Sequence, residues 1–151
     1  MTSPFPFSSG AVLTAAQLNN IGAYASYTPS GGNWSSVVTV NEATFAQVNK
    51  IVVAKFKITL SGTPTSGMGN FSITQPVVEE GGDTWAGSAG GGYIHDASTS
   101  YSHPVQAFIS GTDIFLRSTP SGGADANVDY NSPIVFASGD ELRFFIIYEA
   151  D

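Results

Sequence analysis

The chain of 151 residues contains no cysteine, so its fold needs no disulfide bond, and its redox compartment cannot be read from the sequence. Charged residues are scarce as well, at 11% of the chain, and only five of them are cationic. The five cations are scattered and form no basic stripe: Lys50, Lys55, Lys57, Arg117 and Arg143. With a net charge of −7 and no such stripe, the chain is not expected to bind nucleic acid.

Two kinds of apolar segment are also missing. No run approaches the roughly 18 consecutive apolar residues that a membrane-spanning helix needs. The N-terminus has neither the basic residues nor the apolar stretch of a secretory signal peptide. We therefore expect synthesis in a cytoplasm, no membrane insertion, and any exit from the cell by a route other than secretion.

Glycine and proline are abundant, with 17 and 8 copies, and apolar residues make up 42% of the chain. Because the apolar residues come in strand-length runs between turn residues, this composition is typical of a folded, turn-rich β protein. We predict an all-β fold whose body, residues 27–151, is a β-sandwich or jelly-roll-like structure of about eight or nine antiparallel strands. Residues 1–26 are predicted to form an N-terminal extended arm and one short helix.

The alternation of side chains places several strands. The clearest is residues 51–60, whose even-numbered positions are apolar while three of the odd-numbered ones carry polar side chains. Asn49-Lys50 is a predicted tight turn into this strand. We also expect a hairpin within residues 34–48, turning at Asn41-Glu42, and another within residues 105–118, turning at residues 110–112.

Two strands depart from simple alternation. Residues 84–95 contain four glycines, which predict bulges or close packing of the backbone. The last strand, residues 141–149, has Phe145 and Ile147 on the face opposite its main apolar side. Either this strand is covered on both sides within one chain, or its outer face meets a second subunit. The second interpretation makes Phe145 and Ile147 candidate oligomer-interface residues.

The first 21 residues join an extended arm to a well-signalled helix. Prolines at positions 4 and 6 favour the extended conformation, and Thr14 and Gln17 have the spacing of a capping box. This segment either folds back on its own domain or docks the domain to a larger assembly. In the docking interpretation, the anchoring side chains are Phe5, Phe7, Leu13 and Leu18.

Four stretches of the chain resemble a known group of proteins. They are Pro4-Phe5-Pro6-Phe7 with Val12-Leu13-Thr14-Ala15-Ala16-Gln17-Leu18-Asn19, then Tyr27-Thr28-Pro29, Phe45-Ala46-Gln47-Val48-Asn49-Lys50-Ile51-Val52, and Ser138-Gly139-Asp140-Glu141-Leu142 with Tyr148-Glu149-Ala150. Together they resemble small virion proteins of tailed bacteriophages, of the minor tail, fibre or head-decoration type. The group commonly has glycine where this chain has Asn49, and asparagine tolerates the same left-handed conformation. The resemblance implies a β-sandwich body and a homotrimer.

No arrangement of side chains in the sequence predicts catalysis or a metal site. His95, Asp96 and His103 lack a zinc-ligand spacing, and the loop carboxylates do not follow the ligand order of an EF-hand. The chain has no G-x-S-x-G nucleophile elbow, and its glycine run at residues 90–92 lacks the lysine and helix of a phosphate loop. We predict that the protein is not an enzyme and has no catalytic residues, cofactor or metal.

The resemblance implies a structural protein on the exterior of a phage particle. We expect a trimeric minor tail or fibre protein that docks through its N-terminal arm, the alternative being a capsid decoration protein that stabilises the head. Its expected partners are further copies of itself and other virion proteins, either of the tail or the major capsid protein. A host surface glycan is a further candidate partner, with stacking aromatics at Trp85, Tyr93 and Tyr101, although strand aromatics more often belong to the core.

Overall fold

The computed structural model describes residues 22–29, 32–77, 89–118 and 125–150. These residues form one 3₁₀ turn at Ser66–Met68 and nine strands: β1 (Ala25–Ser26), β2 (Val38–Val48), β3 (Ile51–Leu60), β4 (Ser72–Thr74), β5 (Ala89–Asp96), β6 (Tyr101–Ser110), β7 (Asp113–Ser118), β8 (Ala126–Asn127) and β9 (Glu141–Glu149). Every strand pair is antiparallel, which confirms the predicted all-β fold. Most of the predicted arm and helix, with Phe5, Phe7, Leu13 and Leu18, lies outside the described residues.

The strands form one sheet that is folded over on itself. Its order is β1-β2-β3-β9-β5-β6-β7-β4, with β8 paired to β7. The two ends of this order meet, because the Tyr27 hydroxyl, which follows β1, donates a hydrogen bond to the Thr74 carbonyl oxygen in β4 at 3.3 Å. The Phe71 ring, just before β4, also packs edge-on against Phe144 of β9, with centroids 6.2 Å apart. The sheet therefore encloses one core between two layers, in the manner of a sandwich.

The predicted alternation of residues 51–60 is confirmed. The even-numbered side chains of β3 are all buried, and they face the core together with the even-numbered side chains of β9. The β3–β9 register places Phe56 opposite Phe144, and their rings stack with centroids 4.7 Å apart. The inner face of β3 and β9 is thus the centre of the core.

A fold line separates the two layers at the junction of β5 and β9. Gly90 and Gly92 lie opposite the buried Ile146 and Phe144, so both face inward. A Cβ atom at Gly92 would lie 2.0 Å from the Arg143 carbonyl oxygen, and one at Gly90 would lie 2.2 Å from the Phe145 carbonyl oxygen. Because the β9 backbone occupies the space where side chains would project, the sheet bends sharply toward its inner face here. The glycines predicted to allow close backbone packing do so.

The predicted hairpin within residues 34–48 is wrong. β2 runs continuously across Asn41-Glu42, and its pairing with β3 shifts there: Val40 pairs with Ile58 and Glu42 with Lys57. Asn41 is the extra residue of this β-bulge, and its side-chain oxygen accepts a hydrogen bond of 2.6 Å from Thr59 Oγ1. The asparagine that suggested a turn therefore adjusts the register of a long strand. The two-residue turn at residues 49–50 is confirmed, with Asn49 at φ +56°.

The two ends of the folded sheet differ in character. At one end, here called the turn end, two-residue turns at residues 49–50 and 111–112 join neighbouring strands. At the other, here called the loop end, the strands are joined by residues 61–71, 97–100 and 128–140. One long connection, residues 75–88 between β4 and β5, begins at the turn end, because the Gln75 amide donates to the Thr112 carbonyl oxygen there.

Candidate functional site on the outer face of the sheet

Part of the outer face of the central strands, toward the turn end, is apolar, although one face of an antiparallel sheet is usually polar when it meets water. The register places Ala46 beside Val53, Val53 beside Ile147, and Ile147 beside Ala89. These four side chains form a continuous apolar row across β2, β3, β9 and β5. The row lies on the face that does not contribute to the core.

A patch of exposed aliphatic and aromatic side chains surrounds this row. Phe145 is 47% exposed and Ile147 is 41% exposed, while the side chains on either side of them along β9 are buried or half-buried. Ile51 and Val48, paired at the turn end, are 49% and 44% exposed. We call these four residues and Val53 the outer apolar patch. An interface role for Phe145 and Ile147 stays a prediction, and both lie where such a role requires them.

The charges beside the patch are paired with one another. Lys55 Nζ lies 2.7 Å from Glu42 Oε1, and this hydrogen bond raises the pKa of Lys55. Arg143 Nε donates to Glu141 Oε2 at 2.8 Å, and Lys57 Nζ lies 3.4 Å from Glu141 Oε1. The hydrogen bond from Arg143, and then that from Lys57, lowers the pKa of Glu141. Lys55, Lys57 and Arg143, the cations on the outer faces of β3 and β9, therefore already have anionic partners.

The candidate stacking aromatics lie in different places. Tyr93 is 38% exposed on the outer face, in register with Arg143. Tyr101 is 71% exposed at the loop end, opposite Asp96 in the β5–β6 hairpin. Trp85 lies outside the described residues. Because Tyr93 pairs with Pro104 and Asp96 with Tyr101, the two tyrosines are three ladder positions apart and do not form a single stacking platform.

Two carboxylates order the loop end. Asp96 accepts hydrogen bonds from Ser98 Oγ at 2.7 Å and from the Ser98 and Thr99 amides, and these bonds lower its pKa to about 2. Asp140, only 2% exposed, accepts from the amides of Ala97 at 2.9 Å and Ala137 at 2.8 Å. The Asp140 carboxylate therefore ties two separate loops together.

The histidines do not converge on a common site. His103 pairs with Ile94, so that His95, the next residue along β5, faces the opposite side of the sheet. In the described part of the chain, no three side chains of the His, Cys, Asp or Glu types are placed to hold a metal ion. No helix among these residues is both long and apolar enough to cross a membrane.

Sequence reasoning missed part of the outer apolar patch, although the signal was visible. Ile51 and Val53 occupy outward positions of a strand whose other outward residues are polar, as Phe145 and Ile147 do in β9.

Comparison of the chain with family models, curated proteins and solved structures found no match in any of the three.

Proposed function

We propose that this chain is a non-enzymatic structural protein on the exterior of a bacteriophage particle, a trimeric minor tail or fibre protein docked through its N-terminal arm. The sequence resemblance supports the phage assignment. The positions of the chain ends on the body support the proposal further, because a docked module must be attached at one end and expose the other.

Both ends of the described body lie at the turn end. A Cβ atom on Gly22 would lie 3.0 Å from Val48 Cγ2, beside the turn at residues 49–50. The Ala150 amide donates to the Lys50 carbonyl oxygen at 2.7 Å. Residues 1–21 are therefore attached at the turn end. A body held through that segment exposes the loop end to the surroundings.

The loop end is rigid enough for display. The Asp140 carboxylate ties residues 97 and 137, while the Asp140 carbonyl oxygen accepts from the Leu60 amide at 2.8 Å and the Gly139 amide donates to the Leu60 carbonyl oxygen at 2.8 Å. Two connections and the end of β3 are thus fastened to one another. Ordered loops lose less conformational entropy on contact with a partner, which favours binding.

The proposed partners are copies of the same chain, through the outer apolar patch, and virion proteins of the tail, through the arm. The acidic net charge of −7 and the absence of a basic stripe in the sequence argue against a nucleic-acid partner. A host surface glycan is the candidate partner of the loop end, where Tyr101 offers an exposed ring.

A capsid decoration protein is the second candidate, and the chemistry of the loop end favours it. The hairpin between β5 and β6 presents Ser98, Thr99 and Ser100, all exposed, beside a single aromatic side chain. A protein that braces a capsid needs only such polar, uncharged loops. In this alternative, the arm contacts the major capsid protein and the loops need no receptor.

Electron cryomicroscopy of the phage particle encoding the chain tests the proposal. Density for the β body on the outside of the tail or baseplate supports the fibre assignment, and density between capsomers supports the decoration assignment. A particle that lacks the chain, with all of it in the soluble lysate, contradicts both.

Deletion of residues 1–13 tests the docking step. The truncated chain should keep the circular dichroism of the full chain but no longer sediment with particles. A matched control replaces Ser8 and Ser9 by alanine, while the test variant replaces Phe5 and Phe7 by alanine. Equal incorporation of the two variants would show that the phenylalanines do not anchor the arm.

A further inference from the structure

We propose that the outer face receives a second copy of this chain in a defined way: the outer face of β9 and β3 in one copy packs on the outer face of β5 and β6 in the next. This inference deepens the self-assembly in the proposed function and rests on it. It names which strands meet, and it can be tested on the purified protein without a phage.

The fold line gives the outer face two slopes. Because the sheet bends toward its inner side between β9 and β5, its outer surface is convex there. On one side lies the β9 slope, formed by the outer faces of β2, β3 and β9. On the other lies the β5 slope, formed by the outer faces of β5, β6 and β7. A convex surface cannot lie flat against a copy of itself, so contact is easier slope to slope.

The two slopes have complementary shapes. The β9 slope carries the outer apolar patch, with Phe145 and Ile147 as its most prominent side chains near the fold line. The β5 slope has the smallest residues at the matching level, because Gly91 pairs with Phe145 and Ala89 with Ile147. A ridge of large side chains thus runs beside a strip of small ones, so each copy presents both halves of a ridge-and-groove contact.

The β5 slope has uncharged side chains where it would meet the ridge, and its charges border that strip. Ala89, Pro104 and Gln106 are its exposed side chains beside Gly91. Next to them is a shallow depression of about 200 Å³ whose lining includes Gln106, Arg117 and Asp125. Arg117 also lies 5.3 Å from the centroid of the Phe108 ring in β6. An apolar side chain that enters the strip at Gly91 and Ala89 therefore meets no charge there, while Arg117 and Asp125 lie to its side.

The three cations on the β9 slope would not be left unpaired by such a contact. Lys55 has Glu42, and Lys57 and Arg143 share Glu141 within the same chain. Covering a charge that has no partner is strongly unfavourable, whereas a pair that is already formed is covered at lower cost. The part of the slope around these cations can therefore be buried without a charged partner on the neighbouring copy, whereas the exposed Glu149, opposite Ile51 at the turn end, has to stay in contact with water.

The area of each slope favours two neighbours over one. Three strands about 4.8 Å apart and about 20 Å long give a slope of roughly 300 Å², whereas a standard complex buries about 800 Å² on each partner. Each contact alone is therefore small. A copy that uses its β9 slope on one neighbour and its β5 slope on another buries roughly 600 Å² in total, which is possible in a closed ring with heterologous contacts.

Cysteine cross-linking tests this pairing. Because the chain has no cysteine of its own, every disulfide must come from the introduced residues. Phe145→Cys and Ala89→Cys are placed in separate chains with tags of different size, and the two chains are co-expressed and mildly oxidised. Because a disulfide needs Cα atoms within about 7 Å, a 145–89 disulfide between copies should exceed the yield of the control pair by about tenfold. The control pair is Val135→Cys with Ala89→Cys, since Val135 is 79% exposed in the loop end.

The other outcomes overturn the proposal. A disulfide between two copies of Phe145→Cys without the 145–89 product indicates two-fold contact between ridges. An oligomer that yields no cross-link above the control uses another surface, and a chain that sediments as a monomer at all accessible concentrations does not self-assemble.

A charge variant provides a second measurement. Ile147→Lys should weaken self-association by at least about 100-fold in sedimentation equilibrium, because it buries a charge without a partner. Val135→Lys is the control and should leave association unchanged, because Val135 is 79% exposed whereas Ile147 is 41% exposed. Equal association of these two variants would overturn the proposal, provided that each retains the circular dichroism of the parent. If the cross-link forms and yet the chain is absent from phage particles, the ridge-and-groove contact stands and the virion assignment fails.

Discussion

The two faces of β9 are almost equally apolar at mid-strand, yet they are buried to very different extents. The inner face places Leu142, Phe144, Ile146 and Tyr148 in the core, each at most 4% exposed. The outer face leaves Phe145 and Ile147 nearly half exposed. Hydrophobicity alone therefore does not show whether a side chain belongs to the core. The cross-strand neighbours do, because Phe144 stacks on an aromatic ring in β3 while Phe145 has Lys55 and Gly91 beside it.

Phenylalanine-to-alanine substitutions should show this difference between the two faces most clearly. Phe144→Ala removes a ring that stacks on Phe56, and should lower the free energy of unfolding by about 3–5 kcal/mol. Phe145→Ala should change it by less than about 1 kcal/mol in the dissociated chain, because the ring already meets solvent. Urea denaturation followed by tryptophan fluorescence measures both. Equal losses for the two variants would show that the outer face belongs to the core.

The inner face was the part of the fold that sequence could predict. Alternation alone identified the buried side of β3, and local turn chemistry identified the turn at residues 49–50. The hairpin expected at Asn41-Glu42 failed because an asparagine suits a bulge as well as a turn, and only pairing with the whole of β3 distinguishes the two. Local sequence signals cannot report a partner strand that determines the register.

Only the part of the candidate site on β3 and β9 was predictable from the sequence. Phe145 and Ile147 could be found from the pattern of one strand, as could Ile51 and Val53 in principle. The β5 slope could not, because β9 brings residues 51–60 and 89–96 to either side of itself from distant parts of the sequence. Which outward residues become neighbours depends on the strand order, and the order is a long-range property.

The glycines of β5 allow the two faces to be compared at one strand. Gly92→Ala places an inward Cβ 2.0 Å from the Arg143 carbonyl oxygen and 2.6 Å from Phe144 Cα, both backbone atoms that cannot move independently. Overpacking of this kind should lower the free energy of unfolding by about 2–3 kcal/mol.

Gly91→Ala is the matched outward control. Its Cβ would approach only the Val105 carbonyl oxygen, at 3.1 Å, so its effect on the free energy of unfolding should be smaller. Thermal unfolding by circular dichroism compares the two variants, and a larger loss for Gly91→Ala would contradict a bend toward the inner face.

The smallest expected effect concerns Tyr27, whose hydroxyl joins the two ends of the folded sheet at β4. Burial, and then the neighbouring Tyr148, raises the pKa of Tyr27 above its ordinary value, and its hydroxyl donates to the Thr74 carbonyl oxygen at 3.3 Å. Since an unfolded tyrosine ionises near pH 10 while the folded one keeps its proton, this contribution to stability is complete below about pH 10 and falls as the pH rises further.

Tyr27→Phe cannot ionise at this position, so its free energy of unfolding should fall less steeply than that of the parent above about pH 10, by at most about 1.4 kcal/mol per pH unit. Below that pH it should lose about 1 kcal/mol or less, since it lacks one hydrogen bond of 3.3 Å. Urea denaturation at pH 8 and at pH 11 measures both terms, and Tyr101→Phe is the control because Tyr101 is 71% exposed. Parallel pH profiles for parent and Tyr27→Phe would show that Tyr27 ionises as freely in the folded sheet as in the unfolded chain, and hence that its hydroxyl is not held between the layers.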